Sequence, residues 1–424
     1  MFSYYNNAGE FKMKKIIKVI CIVFSSIISL ILISIALIAF IFRNEISAIS
    51  SIELRKPRVE NSLQCGIYEM TYKGDYYFDD FIKQGGTKSD TEFLTFIRNK
   101  MTKGLLNTKL YIPKVGCSSF TARTFDGQRL FARNYDLYST NTCILRVKGN
   151  KKRHASVSSV DLSFLDIPAK KDIDNLMLKA LCLSAPYISL DGINDAGISC
   201  GIYMSNQGAG NSGIPTNQNT DRPDLSSTSF LRMILDYADS IEDAVEIAKN
   251  YDMHDSGRAS YHYMVADRTG RSVIFEWVNG TDKTDNFGAK RKLTITYNDG
   301  DSHIGPREAA SDFQWITNFI IQPGYYADSS ESAMVGLDRY NILYDELSKC
   351  NGVVADEMAA MEVLHKVSQR TIRPKRAKND TILTIHSVIY NLDEKTVLWC
   401  GNEQYADKDG MFRYKYNSKK KIFE

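Results

Sequence analysis

Val19 to Phe42, "VICIVFSSIISLILISIALIAFIF", is 24 residues without a charge. No face of it is polar, so it does not read as a half-buried helix on a soluble core. As a helix it spans roughly 36 Å, enough to cross a bilayer with some tilt. Lys12, Lys14, Lys15 and Lys18 precede it closely, and only Arg43 follows at once. The positive-inside rule then makes residues 1–18 a cytoplasmic tail and 19–42 a single-pass cell-membrane anchor, with everything beyond residue 45 outside. A cleaved signal peptide is the competing reading. Its apolar core usually runs about 7–15 residues, and no small-x-small site closes this segment cleanly, so the anchor is preferred.

The chain of 424 residues leaves room after the anchor for one large domain or two smaller ones. Its formal net charge of +3 is too small to argue for nucleic acid as a partner. The eight cysteines are scattered without CxxC spacing, so neither a zinc site nor a redox motif nor a clear disulfide framework is written here. Residues 43–116 read as a linker, small subdomain or pro-segment, with helical spacing at Phe93, Phe96, Ile97 and Met101. The catalytic domain is expected over 117–424.

Strand and helix signals then come in blocks. "YISLDGINDAGISCGIYM" (187–204) predicts two strands around an Asn-Asp-Ala-Gly turn. "SIEDAVEIAKN" (240–250) opens with a capping box at Ser240 and Asp243 and predicts a helix. "YHYMVADRTGRSVIFEWV" (261–278) predicts a hairpin around Thr269-Gly270, 354–369 a helix, and 381–402 a final hairpin. This order suggests an α+β layered fold with largely antiparallel sheets. Gly208, Gly210 and Gly213 match a dinucleotide fingerprint, but "IPTNQNTDRPD" follows instead of a helix, so the match reads as a loop.

The chemistry centres on "VGCSSFTARTFDGQRLFARNYD", residues 115–136. It reads as a hairpin turning at Asp126-Gly127, which sets Cys117 opposite Asp136. In that register Arg133 has the wrong parity and reaches the thiol only through a bulge near Asn134. A nearby arginine favours the thiolate and lowers the thiol pKa below about 8.5. If the chain is cut before Cys117, the new α-amino group has a pKa of about 8 and lies within reach of its own thiol as a weak base. A lone cysteine is ordinarily a small buried hydrophobe. The Arg/Asp pair at the same end of the hairpin argues for more.

"CSSFTARTFDGQRLFARNYD" resembles the opening of the choloylglycine hydrolase family of N-terminal-nucleophile (Ntn) hydrolases, with Cys117, Arg133, Asn134 and Asp136 matching in kind and spacing. That family includes bile salt hydrolases and penicillin V acylases, and more distantly acid ceramidase and N-acylethanolamine acid amidase. "DGINDAGIS" resembles its Asp-Gly-x-Asn turn and implies Asn194 as an oxyanion-hole residue. The hairpin ending at Glu276 and the closing strand in "TIHSVIYNL" also resemble the family. "WITNFII" implies Asn318 as a second oxyanion or positioning amide, with Asn298 competing for the role, and "GLDRYNILYDEL" implies Arg339 as an active-site arginine. The long segment before the cysteine is closer to the ceramidase-like branch.

The resemblance implies a four-layer αββα sandwich and hydrolysis of a linear amide by Cys117, with Asp136 orienting its amine and no metal or cofactor. The expected partners are a small-molecule amide and, from the N-terminal helix, the membrane, with a homo-oligomer left open. Acyl transfer to an amine, and a binding protein that has lost catalysis, are the alternatives. A papain-like protease would need a Cys-Trp helix start and a downstream catalytic histidine.

Overall fold

The computed structural model describes residues 2–107, 109, 116–138, 140–205, 214–279, 288–299, 307, 312–322, 335–375 and 382–424, with side chains from residue 11 onward. The glycine triplet at 208, 210 and 213 lies outside the described residues.

All but the last residue of the uncharged run lies within helix α1 (Phe2–Ile41), whose apolar stretch Phe11–Ile41 is long and apolar enough to cross a membrane and is exposed along its length. It runs almost without a break into α2 (Arg43–Ser50): Phe42 N donates to Ile38 O at 3.0 Å and Ile46 N to Phe42 O at 2.8 Å. Strands β1 (Glu53–Lys56) and β2 (Ile67–Tyr72) follow, then helices α3 (Phe78–Lys83) and α4 (Asp90–Met101). Phe93, Phe96, Ile97 and Met101 of α4 are buried, as their spacing predicts. This part of the chain is not a linker. It supplies two strands to a sheet, and β2 is entirely buried, where a strand can satisfy its backbone only by pairing.

The strands that follow are β3 (Gly116–Thr124), β4 (Arg129–Leu137), β5 (Thr142–Val147) and β6 (Ser156–Asp161). After helix α5 (Leu176–Leu181) and a 3-10 turn over Cys182–Ile188 come β7 (Ser189–Asn194) and β8 (Ser199–Ser205). A short parallel pair, β9 (Asp224–Ser226) and β10 (Asp252–His254), flanks helices α6 (Ser227–Tyr237) and α7 (Ile241–Asn250). Ser240 caps α7 by accepting from Asp243 N at 3.2 Å. Next come β11 (Ser260–Ala266), β12 (Ser272–Val278), β13 (Lys292–Tyr297) and β14 (Trp315–Ile316). The chain closes with α8 (Leu337–Ser348), β15 (Val353–Val354), α9 (Glu357–Lys366), α10 (Gln369–Ile372), β16 (Leu383–Asn391), β17 (Thr396–Gly401), β18 (Met411–Asn417) and β19 (Ile422–Phe423).

One sheet runs β1-β2-β5-β6-β7-β8-β11-β12-β13, and the other runs β14-β3-β4-β16-β17-β18-β19 with β15 beside β3. They face each other through Tyr203 Oη to Ser119 Oγ at 2.5 Å and Trp399 Nε1 to Ser159 Oγ at 3.1 Å. Helices α6 and α7 cover the outside of the first sheet, and α8, α9 and α10 the outside of the second. The architecture is an αββα sandwich. Strands β4 and β16 are covered on both faces, so they read as continuous buried runs rather than alternating ones. Residues 78–101 are held by rings: Phe81 lies 5.3 Å from Phe96 and 6.1 Å from Tyr187, and Phe93 lies 5.9 Å from Tyr187.

Candidate active site

The β3–β4 hairpin turns through three residues, Phe125, Asp126 and Gly127, rather than two. Thr124 N donates to Gln128 O at 2.8 Å, Gly127 N to Thr124 O at 2.9 Å, and Gly127 adopts φ +87°. A left-handed glycine closing a three-residue loop is the next commonest hairpin after the two-residue turn. It moves the register by one: Cys117 pairs with Tyr135, Ser119 with Arg133, and Gly116 with Asp136. Opposed residues share a face. Arg133 therefore stands on the thiol's side with no bulge in β4, and Asp136 projects from the opposite face.

Cys117 is fully buried, and three of its atoms have partners. Its backbone N–H donates to Asn318 Oδ1 at 2.8 Å. Its carbonyl accepts from Arg339 Nη1. Its Sγ lies 3.4 Å from Arg133 Nη2. Arg339, at the start of α8, also donates through Nη2 to Asn318 Oδ1 at 2.7 Å and lies 3.3 Å from Asp136 Oδ2. Asp136 further accepts from Gln369 Nε2 and Thr384 Oγ1, each at 2.7 Å. It sits directly under Gly116, where a Cβ would come within 2.9 Å of Asp136 Oδ2.

Arg133 is held from behind. Its Nη1 donates to Asp191 Oδ2 at 2.7 Å and to the Leu190 carbonyl, and its Nη2 to the Ile202 carbonyl at 2.6 Å. Asp191 also accepts from Tyr390 Oη at 2.5 Å, and His386 Nε2 lies 2.9 Å from it. Burial opposes the Asp191 charge, but Arg133 and His386 win and hold its carboxyl well below the usual carboxylate range. The thiol behaves otherwise. Burial raises the Cys117 pKa, and Arg133 lowers it only in part, so the lowered pKa expected from the arginine alone does not hold in the uncut chain. Burial likewise pushes Cys65, Cys182 and Cys400 up to about 12.

Asn318 follows β14, which pairs with β3 and so carries it beside Cys117. Its Nδ2 donates to the Met204 carbonyl at 2.8 Å. The neighbouring Thr317 carbonyl lies 2.9 Å from His262 Nε2, and His262 Nδ1 lies 2.9 Å from Glu276 Oε1, which also accepts from Ile321 N at 3.0 Å. Glu276 thus braces the Asn318 segment. Asn298 is elsewhere, bonded to Ser272 N and the Gly270 carbonyl, each at 2.9 Å. Asn194 also stands apart from the thiol. Its Oδ1 accepts from Ala196 N and Ile198 N, each at 3.0 Å, within the β7–β8 turn, and its Nδ2 donates at 2.8 Å to the carbonyl of Ala238, which ends α6, so its amide is already spent. The residue of "DGINDAG" that reaches the site is Asp191, three positions earlier on β7. Asp191 and His386 lie inside quoted motifs, but nothing in their spacing marks them as partners of Arg133.

Residues 123–404 match the family described as acyl-coenzyme A:6-aminopenicillanic acid acyl-transferase. The chain belongs to this acyl-transferase family. The match begins in β3 just after Cys117 and includes Arg133, Asp136, Asn318 and Arg339. Among curated proteins none matches the chain. Among solved structures it is similar to a mutant conjugated bile acid hydrolase from Clostridium perfringens, at 16% identity over 71% of this chain and 97% of that one, with a TM-score of 0.43. Penicillin V acylase from Agrobacterium tumefaciens gives 13%, 71%, 91% and 0.40. The Caenorhabditis elegans ortholog of N-acylethanolamine-hydrolyzing acid amidase gives 15%, 65%, 93% and 0.37. Assignment to the acyl-transferase family rests on the sequence match.

Proposed function

We propose that the protein is a membrane-anchored amidase that hydrolyses a linear, non-peptide amide with Cys117 as its N-terminal nucleophile. The observation that carries this is the convergence of Asn318, Arg339 and Arg133 on the backbone N, the carbonyl and the sulfur of one cysteine. A packing cysteine needs none of these. Residues 1–18 are taken as cytoplasmic and the αββα domain as extracellular.

The chain first has to mature. The Cys117 thiol attacks the Gly116 carbonyl, the peptide nitrogen becomes the amine, and water hydrolyses the resulting thioester. The freed amine inherits the Asn318 Oδ1 acceptor, and Asp136 lies beneath the departed Gly116 to hold it. In turnover the amine takes the thiol proton and the thiolate attacks the substrate carbonyl. The same amine then protonates the leaving nitrogen. Arg133 stabilises the thiolate, and Asn318 supplies an amide N–H to the developing oxyanion once it is released from the Met204 carbonyl. Water cleaves the acyl thioester to a carboxylic acid.

Transfer of the acyl group to an amine instead of water is the second reading, favoured by the family to which the chain belongs. A panel of bile-acid conjugates, penicillin V, N-acyl lactones and fatty-acid amides, with and without added amines, tests both. Cys117→Ala should abolish turnover, and residual activity above about a thousandth of wild type contradicts the nucleophile. An N-acylated product from the added amine, in place of the free acid, selects transfer.

A further inference from the structure

Where α1 meets the domain, on the outside of the first sheet, lies an apolar groove of about 610 Å³. Ile38, Phe42 and Ile46 line it from the helical stem, Leu105 from the turn after α4, and Leu176 and Met177 from α5. Leu105 is 74% exposed, Leu176 72% and Met177 65%, although they come from separate parts of the chain. Of its polar side chains, Glu45 pairs through Oε1 with Lys103 Nζ at 3.0 Å while its Oε2 is buried without a hydrogen-bond partner among the described residues, and Thr102 Oγ1 donates to the Arg98 carbonyl at 2.8 Å. Large apolar side chains gathered into one exposed patch mark an interface.

The stem fixes the height of this groove. α2 continues α1 and is packed on β2 and the Cys182–Ile188 turn, so no flexible linker separates the helix from the domain. A hydrocarbon core of about 30 Å takes about 20 helical residues. Counted from Lys18, the last basic residue of the tail, that places the outer edge of the core near Ile38. Ile38 and Phe42 are the groove's own walls.

We propose that the groove is a lipid site. It seats acyl chains of the outer leaflet of the bilayer that α1 crosses, so that the domain lies on the membrane with α5 and the Leu105 turn at the boundary between chains and headgroups. This rests on the reading of α1 as an anchor. It concerns a face outside the first sheet, whereas Cys117 lies between the sheets.

Full-length protein is reconstituted in phosphatidylcholine vesicles containing phosphatidylcholine with a diazirine on its acyl chain, photolysed, and the adducts mapped by peptide mass spectrometry. Adducts are expected in α1 and on peptides carrying Ile46, Leu105 and Leu176–Met177, but not at Phe125, which is 77% exposed at the tip of the β3–β4 hairpin. Replacing Leu176 and Met177 together by Asp should cut adducts at Ile46 and Leu105 about tenfold and leave those in α1 unchanged. Both side chains are exposed, so the fold does not depend on them. Adducts confined to α1 overturn the proposal and leave the anchor standing, because protein or water then fills the groove. Labelling of Phe125 as strong as that of Leu105 also overturns it. Absence of adducts even in α1 overturns the anchor and the lipid site together.

Discussion

Asn318 Oδ1 accepts the backbone N–H of Cys117 at 2.8 Å, the hydrogen bond that a free amine at the same nitrogen would keep. Arg339 Nη2 donates to the same oxygen at 2.7 Å, so the acceptor is fixed from two sides. Asn318→Ala removes it and leaves the Arg339 guanidinium short of a partner. The expected result is a fall in kcat/KM of about 100-fold or more, the usual scale for losing a preorganised polar contact at a reacting centre. Asn318→Asp keeps an oxygen for both donors but loses the Nδ2 donor and sets a carboxylate beside the developing oxyanion, so it should not recover the activity lost in Asn318→Ala. Equal activity of Asn318→Ala and wild type would exclude this role.

Asp191 and Arg133 are both fully buried, with Nη1 2.7 Å from Oδ2. Breaking such a pair from one side strands the other charge, so Asp191→Ala should cost about 3–5 kcal/mol in urea unfolding. Asp191→Asn keeps the shape and should cost less, while slowing alkylation of the Cys117 thiol because Arg133 is no longer aimed. A loss below about 1 kcal/mol for Asp191→Ala contradicts the clamp.

His154 reports on stability against pH. Its Nδ1 lies 2.6 Å from Asp195 Oδ1 and its Nε2 3.3 Å from Asp239 Oδ1. The hydrogen bond to Asp195, helped by the nearby carboxylates, raises its pKa above 6.5. The native state then holds the proton more tightly than the unfolded one. The contribution is complete below 6.5 and is lost as pH rises through the raised native value. Thermal unfolding of wild type and His154→Gln across that range should converge at alkaline pH. A gap that widens with pH has the wrong sign.

The piece before the cut should stay bound to the piece after it. β2 pairs in parallel with β5 over six positions, and the rings of Phe81, Phe93 and Phe96 pack on Tyr187. After maturation, residues 1–116 and 117–424 should co-elute from gel filtration in mild detergent and separate only in denaturant. Release of the larger piece on its own contradicts this packing.

The sandwich was legible because motif order and strand patterning agree along most of the chain. The hairpin register was not, since it depends on whether Asp126-Gly127 is a whole turn or the end of a three-residue one, and one residue decides which face every side chain takes. That slip put Asp136 on the thiol's face and removed Arg133 from it. Asn194 was legible as a turn residue but not as one whose amide is fully used between its own turn and the end of α6. Thiol acidity was misjudged because the arginine is visible in the sequence and the burial opposing it is not. The role of β2 was hidden for a similar reason: parallel pairing with β5 leaves no local signal in either strand.

The account stands or falls on the Gly116–Cys117 bond, since a mid-chain cysteine has no amine to serve as base. N-terminal sequencing of purified, catalytically active protein is the direct measurement. The result predicted is Cys-Ser-Ser-Phe, in proportion to activity, and absent from Cys117→Ala. Fully active protein in which Gly116 is still joined to Cys117 would contradict the N-terminal nucleophile.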